Sequence, residues 1–322
     1  TTALSANIHY PVDWVLLREA TRTLMKAVQL IRNQGLKHRM EAPKSFLRRI
    51  NKLCIQMTHA WNKTDRQRQR KKTLRQMDRV VGTVRSHARR YRELLAERWE
   101  QTDWTRPQAE QVLRRMDQVL ELLPTARKQA RQRILDGQLV ANAEKILSLY
   151  EADVHVIVRQ KAGAEVEFGN TLLLAENPQG LIIDWELFRE SAPADSALLP
   201  RSVGRMEQAY GPKLKAVAAD RGFDSATNRE GLAADGIYNG VCPRSPRQLQ
   251  ERNGSWKFKR LQRRRAQTEG RVAILKNVFL GRRMRSKGFA HRRLTVTWTV
   301  LVHNLWVLAR QPRAEAAQAR AA

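Results

Sequence analysis

KLKAVAAD (213–220), followed by RGFDS (221–225), is the stretch on which the fold turns. An apolar run of strand length closes in an acid, and Gly222 permits a tight turn straight after it. Upstream lie three more strand-like runs: LSLYEADVHVIVR (147–159), EVEFGNTLLLAE (165–176) and GLIIDWELF (180–188). Gly163 separates the first two, and Asn177, Pro178 and Gly180 mark the next turn, so an antiparallel meander is expected. Helices are expected at about 196–210 and 225–235, then a strand in GIYNGVCPR (236–244), then two long helices. The last, about 290–310, is apolar nearly all round, and its length favours a buried helix over a strand. One mixed sheet is expected to hold 146–158, 165–175, 180–187, 214–220 and 236–243.

Further out the texture changes. Residues 14–142 have few glycines and carry apolar residues at helical spacing, such as Trp14, Leu17, Ala20 and Leu24, then Val112, Met116, Val119 and Leu123. Pro43, Pro107 and Pro124 punctuate the stretch, which predicts four to six helices. Its tryptophans, Trp14, Trp61, Trp99 and Trp104, read as core. The expected division is 1–13, a first strand; 14–142, a basic helical body; 143–311, an α/β core; and 312–322, a frayed tail.

Lys and Arg number 60 against 31 Asp and Glu, a net charge of +29. A folded chain this basic meets a polyanion, so nucleic acid is the expected partner. The two cysteines, Cys54 and Cys242, lie far apart and outside any CxxC motif, which excludes a disulfide framework and fits a reducing cytosol. No apolar run is long enough to span a membrane. His9, His155, His291 and His303 have no ligand spacing for zinc.

Asp220 ends its strand where α/β folds bind ligands; the plain alternative is that it caps the next turn. Asp224 reads as the N-cap of the following helix. In LQRRRAQTEGRVAILKN (261–277), Arg265, Glu269 and Lys276 fall within about 40° on an ideal helix. That places an acid between two bases, either a metal-binding carboxylate flanked by phosphate contacts or an ordinary i,i+4 pair. Arginine is densest at 63–79 and 85–93, and Arg66, Arg68, Arg70, Lys71 and Lys72 are the leading DNA contacts there.

Taken together, these motifs resemble the DDE transposases of bacterial insertion sequences, in the group with a Tyr-x2-Arg-x3-Glu-x6-Lys signature. Arg265, Glu269 and Lys276 match it; Gln262 stands at the Tyr position. Asp220 through Ser225 is similar to the family's Asp-x-Gly-(Tyr/Phe)-x-Ser, which carries the second acid. The opening TTALSANIHYP resembles the family's first-strand motif, one residue shorter, so the first acid is expected just before Thr1. Glu151 and Asp153 are weaker stand-ins, and Asp184 reads as structural. The order of three antiparallel strands, helix, strand, helix, strand and helices is that of an RNase H-like fold. The fold class implied is α/β, an RNase H-like mixed sheet flanked by helices, with a large all-helical insertion between the first and second strands.

The resemblance further implies two Mg²⁺ (or Mn²⁺) ions held by the acids, with Asp220 and Glu269 as catalytic metal ligands and Arg265 and Lys276 on DNA. It implies metal-dependent cleavage and strand transfer at transposon ends. The partners would be double-stranded DNA, as terminal inverted repeats and target, and a possible second copy in a homodimer, working in the cytoplasm at the nucleoid and not in a membrane. The alternative is a non-catalytic basic nucleic-acid-binding protein or a decayed transposase.

Overall fold

The computed structural model describes residues 1–8, 11–60, 65–161, 164–281 and 283–310. His9, Tyr10, Trp61, Lys63, Gly163 and the tail expected at 312–322 lie outside the described residues. The chain divides into two compact units, Ile8–Val156, and Thr1–Asn7 with Ile157–Ala322.

The first unit is built on α1 (Asp13–Asn33), α2 (Pro43–His59), α3 (Arg66–Arg98) and α4 (Arg106–Arg131). α1 packs on the other three. Leu17, Leu24, Val28 and Ile31 of α1 recur at helical spacing and meet Phe46, Ile50, Leu74, Val81, Val119 and Leu123 in one core. Trp14, Trp99 and Trp104 pack against that core, as expected. Pro43 and Pro107 open helices in the first turn, where a missing N–H costs nothing. Thr105 and Gln108 form a capping box that starts α4. Pro124 does not punctuate: it lies inside α4, whose packed face carries the helix past it.

A four-stranded sheet comprises β1 (Thr2–Ser5), β2 (His155–Lys161), β3 (Ala164–Glu176) and β4 (Ile182–Leu187). β3 is long enough to pair with all three others. The run expected as a strand from 146 begins only at His155. The Ser148 hydroxyl accepts the Tyr150 and Glu151 N–H groups and turns the chain first. β1 runs antiparallel to β3 with Ser5 opposite Gly169, and a Cβ at Gly169 would lie 1.9 Å from the Leu4 carbonyl oxygen. Glycine is therefore required for the two strands to meet.

After β4 come α5 (Asp195–Tyr210), β5 (Ala216–Val217), α6 (Ala226–Ala234), β6 (Tyr238–Asn239), α7 (Pro246–Arg252), α8 (Trp256–Ile274) and α9 (Phe289–Arg310). The single mixed sheet is corrected here: β5 and β6 form a separate parallel pair, joined through α6. Helices cover both faces of the four-stranded sheet, as the alternation of Leu172 and Leu173 requires. Leu4, Leu172, Ile182 and Leu187 pack with Leu275, Val296 and Val300. Leu173 and Phe188 pack with Leu198, Val203, Phe223 and Leu232. α9 is a helix, but it is not buried all round. Val296, Val300, His303 and Val307 face inward, while Leu294, Trp298, Leu301, Leu305 and Leu308 are exposed. One sheet face can cover only one side of a helix.

Candidate active site

Asp220 stands where the parallel pair runs out. Beyond the strand residues the ladder continues, with Tyr238 N–H donating to Lys215, Gly240 to Val217 and Cys242 to Ala219. The next residue, Asp220, is exposed, and its Oδ1 accepts the Gly222 N–H at 3.1 Å. This closes a short 3₁₀ turn, Arg221–Phe223. The carboxylate does cap the turn, but through one oxygen. Asp224 does not cap α6; Ser225 does, accepting the Asn228 N–H. Asp224 is instead buried and bonded to the Arg229 guanidinium at 2.8 Å and the Arg244 N–H at 2.9 Å. Burial alone would raise its pKa, but these donors outweigh it and hold the carboxyl below its ordinary value. That tie fastens the turn after Asp220 to the segment after β6.

A second carboxylate faces the same turn. Asp195 opens α5, and a Cβ at Gly222 would lie 2.6 Å from Asp195 Oδ2 and 3.2 Å from Asp220 Oδ1. Both acids thus border one small space that a side chain at 222 would fill. Thr1, just before β1, donates its hydroxyl to Asp195 Oδ1 at 2.9 Å. Neither Asp195 nor Asp220 makes an ion pair among the described residues. Carboxylate oxygens are the donors that Mg²⁺ or Mn²⁺ takes, so this pair fits a hard divalent cation. Among the described residues no three His, Cys, Asp or Glu groups stand together to hold a metal.

The third predicted acid, Glu269, is two-thirds exposed on α8 and ion-paired with Arg265 one turn back. The plain i,i+4 pair is therefore present. Gln262 does what the sequence did not reveal: its amide donates to the Gly240 carbonyl at 2.6 Å and its oxygen accepts Arg265 Nε at 3.0 Å. Gln262 so links α8 and Arg265 to the chain just after β6. α8 is anchored again through Glu176 of β3, whose buried carboxylate receives Arg271 at 2.9 Å, Arg264 at 3.5 Å and Thr268 at 2.6 Å. Lys276 is half-buried in a π-helical turn, Leu275–Phe279, so the ideal-helix alignment of 265, 269 and 276 ends at Ile274.

A family model described as a transposase DDE domain matches residues 127–305. The chain belongs to that family. The match takes in Asp195, Asp220 and Glu269. No curated protein and no solved structure matches the chain.

In this transposase Asp184 is structural, held by Arg205 at 2.8 Å and Ser202 at 2.6 Å. Glu151 is buried and Asp153 half-buried, both in the turn before β2 and within the helical unit, not on a strand. Of the basic residues at the start of α3, Arg68 and Lys72 are exposed, Arg66 is exposed beside them, and Lys71 is half-buried. Arg70 stacks over the Trp14 ring at 5.2 Å, and burial, then Arg66, lowers its pKa. Arg70 thus packs against the helical core instead of projecting freely toward DNA.

Proposed function

We propose that this transposase cuts and joins DNA at a centre built on Asp220 and Glu269, beside Asp195, in an RNase H-like fold that carries α1–α4 as an insertion between its first and second strands. The observation that carries the reading is the exposed Asp220 carboxylate at the end of the β5–β6 ladder, bordering one space with Asp195. Asp220 and Glu269 would hold Mg²⁺ or Mn²⁺. Such a pair of ions, when bound, activates an attacking oxygen and stabilises the leaving one. The bond broken is a phosphorus–oxygen bond of a DNA strand. The bond formed joins that phosphorus to the oxygen of water, or of a 3′-hydroxyl in strand transfer; the attacking oxygen gives its proton to solvent, and the leaving oxygen takes one up to depart as a free hydroxyl.

The exposed Arg265–Glu269 pair is worth only about 0.3–0.5 kcal/mol, so it is readily given up for a metal. Arg265, steadied by Gln262, and Lys276 would then hold phosphates. Thr1, just before β1, bonds Asp195, which supports placing the first strand beside the same cluster. Bacterial insertion-sequence ends and target duplex are the proposed substrates, at the nucleoid. No helix among the described residues is long and apolar enough to cross a membrane. A homodimer belongs to the reading, supported by the apolar side chains that α9 leaves exposed.

The test is Mg²⁺- or Mn²⁺-dependent nicking and joining of transposon-end DNA by the whole protein. Asp220→Asn and Glu269→Gln should each lose more than the roughly 10–100-fold that removing an outer-sphere partner costs. DNA binding should persist, because removing a carboxylate makes the site less repellent to phosphate. A wild type that binds DNA and never cuts it would favour the non-catalytic alternative.

A further inference from the structure

The helical unit holds a groove that the site above does not use. It lies between α3 and α4, is open to solvent, and measures about 460 Å³. Arg85 of α3 lines one side; Arg127, Lys128 and Arg131 of α4 and Asp136 of the π-helical turn after it line the other. Arg131 stands four residues after Arg127 and three after Lys128, so it neighbours both on the surface of α4. The Arg127 guanidinium lies over α3 at Gly82, 3.6 Å from where a Cβ would be, which is ordinary contact distance.

The charges here are not balanced. Asp78 takes Arg127 Nε at 2.7 Å, which leaves Asp136 as the one acid lining the groove among the described residues. Arg85 Nε is buried without an acceptor. Burial, then the charges of Arg89 and Arg127, lowers the Arg85 pKa, so these cations crowd one another. Positive charge gathered around an open space, with donors left over, is what an anion relieves.

We propose that this groove binds phosphates of the duplex DNA backbone, as a contact distinct from the Asp220 site and in the other unit. The choice of DNA rests on the transposase reading. Guanidinium and ammonium groups that meet phosphate carry no sequence information, so the contact serves any duplex and fixes how the helical unit holds it.

The experiment measures binding of the whole protein to a labelled duplex of arbitrary sequence across a range of salt. Wild type is compared with the triple variant Arg85→Gln, Lys128→Gln, Arg131→Gln and with Asp136→Asn, each checked for unchanged thermal unfolding. The slope of log affinity against log salt should fall by about 2–3 in the triple variant, since each phosphate contact contributes roughly 0.9. Asp136→Asn should bind more tightly, and that gain tests the groove even if the triple variant fails to fold. A folded triple variant with an unchanged slope, or an Asp136→Asn protein with unchanged affinity, would overturn the groove and leave the transposase reading standing. Wild type without salt-dependent DNA binding would overturn both. With a duplex RNA as a second probe, a folded triple variant that loses RNA binding and keeps the wild-type DNA slope would overturn the choice of DNA.

Discussion

Asp224 shows how one buried acid can fix the turn that carries a neighbouring one. Its ties to Arg229 and Arg244 hold the turn that carries Asp220. Because those ties depress its pKa, the stability they give is complete above its ordinary value of 3.8 and is lost as pH falls below that value. Asp224→Asn should therefore destabilise the protein by about 1–3 kcal/mol at neutral pH. Denaturant unfolding should show the difference shrinking as pH drops below the carboxylate range; a constant difference down to strong acid would refute the role. The sequence made Asp220 legible because an acid closed an apolar run just before a glycine. It misassigned Asp224, since Asp and Ser are both good caps and only burial separates Asp224 from Ser225. Asp195 went unseen because an acid in a helix's first turn is ordinary. Only the missing Cβ of Gly222 reveals that Asp195 and Asp220 share a space. Gln262 was legible only as a departure, while its bond to Gly240 joins positions 22 residues apart.

At the scale of elements, the site depends on how β1 and α8 are fixed. β1 is four residues long and lies directly on Gly169. Gly169→Ala would press a methyl into backbone, which cannot rotate away, so a loss near the upper end of the roughly 1–3 kcal/mol for overpacking is expected. A melting temperature within experimental error of wild type would show that the strands can separate at no cost. α8 is held through Glu176, and Glu176→Ala leaves Arg264 and Arg271 without the carboxylate they share. It should destabilise by about 3 kcal/mol and lower nicking more than DNA binding, because Glu269 rides on this helix. Equal losses of nicking and binding would mean that the clamp serves the fold alone. The long helices and the meander were readable from period and turn residues. The strand of β2 was read too early because Ser148 turns the chain, and a helix break was expected at Pro124 because packing that carries a helix past a proline leaves no mark in sequence. The exposed face of α9 was hidden for the same reason: an all-apolar helix does not say which side is covered.

Over the whole molecule the excess of 29 positive charges is shared by both units, and composition alone could announce the polyanion but not place it. The segment singled out at the start of α3 includes Arg70, which packs on Trp14, whereas the α3–α4 groove collects cations from two consecutive helices, which only packing brings together. In the proposed division of labour the helical unit holds DNA, and Asp220 with Glu269 holds metal. Mn²⁺ binding separates these roles most directly. It is read by electron paramagnetic resonance on the whole protein in complex with transposon-end DNA. Wild type should hold the ion, and Asp220→Asn should weaken it by at least about tenfold with DNA affinity unchanged. Wild-type Mn²⁺ affinity in both Asp220→Asn and Glu269→Gln would contradict the account.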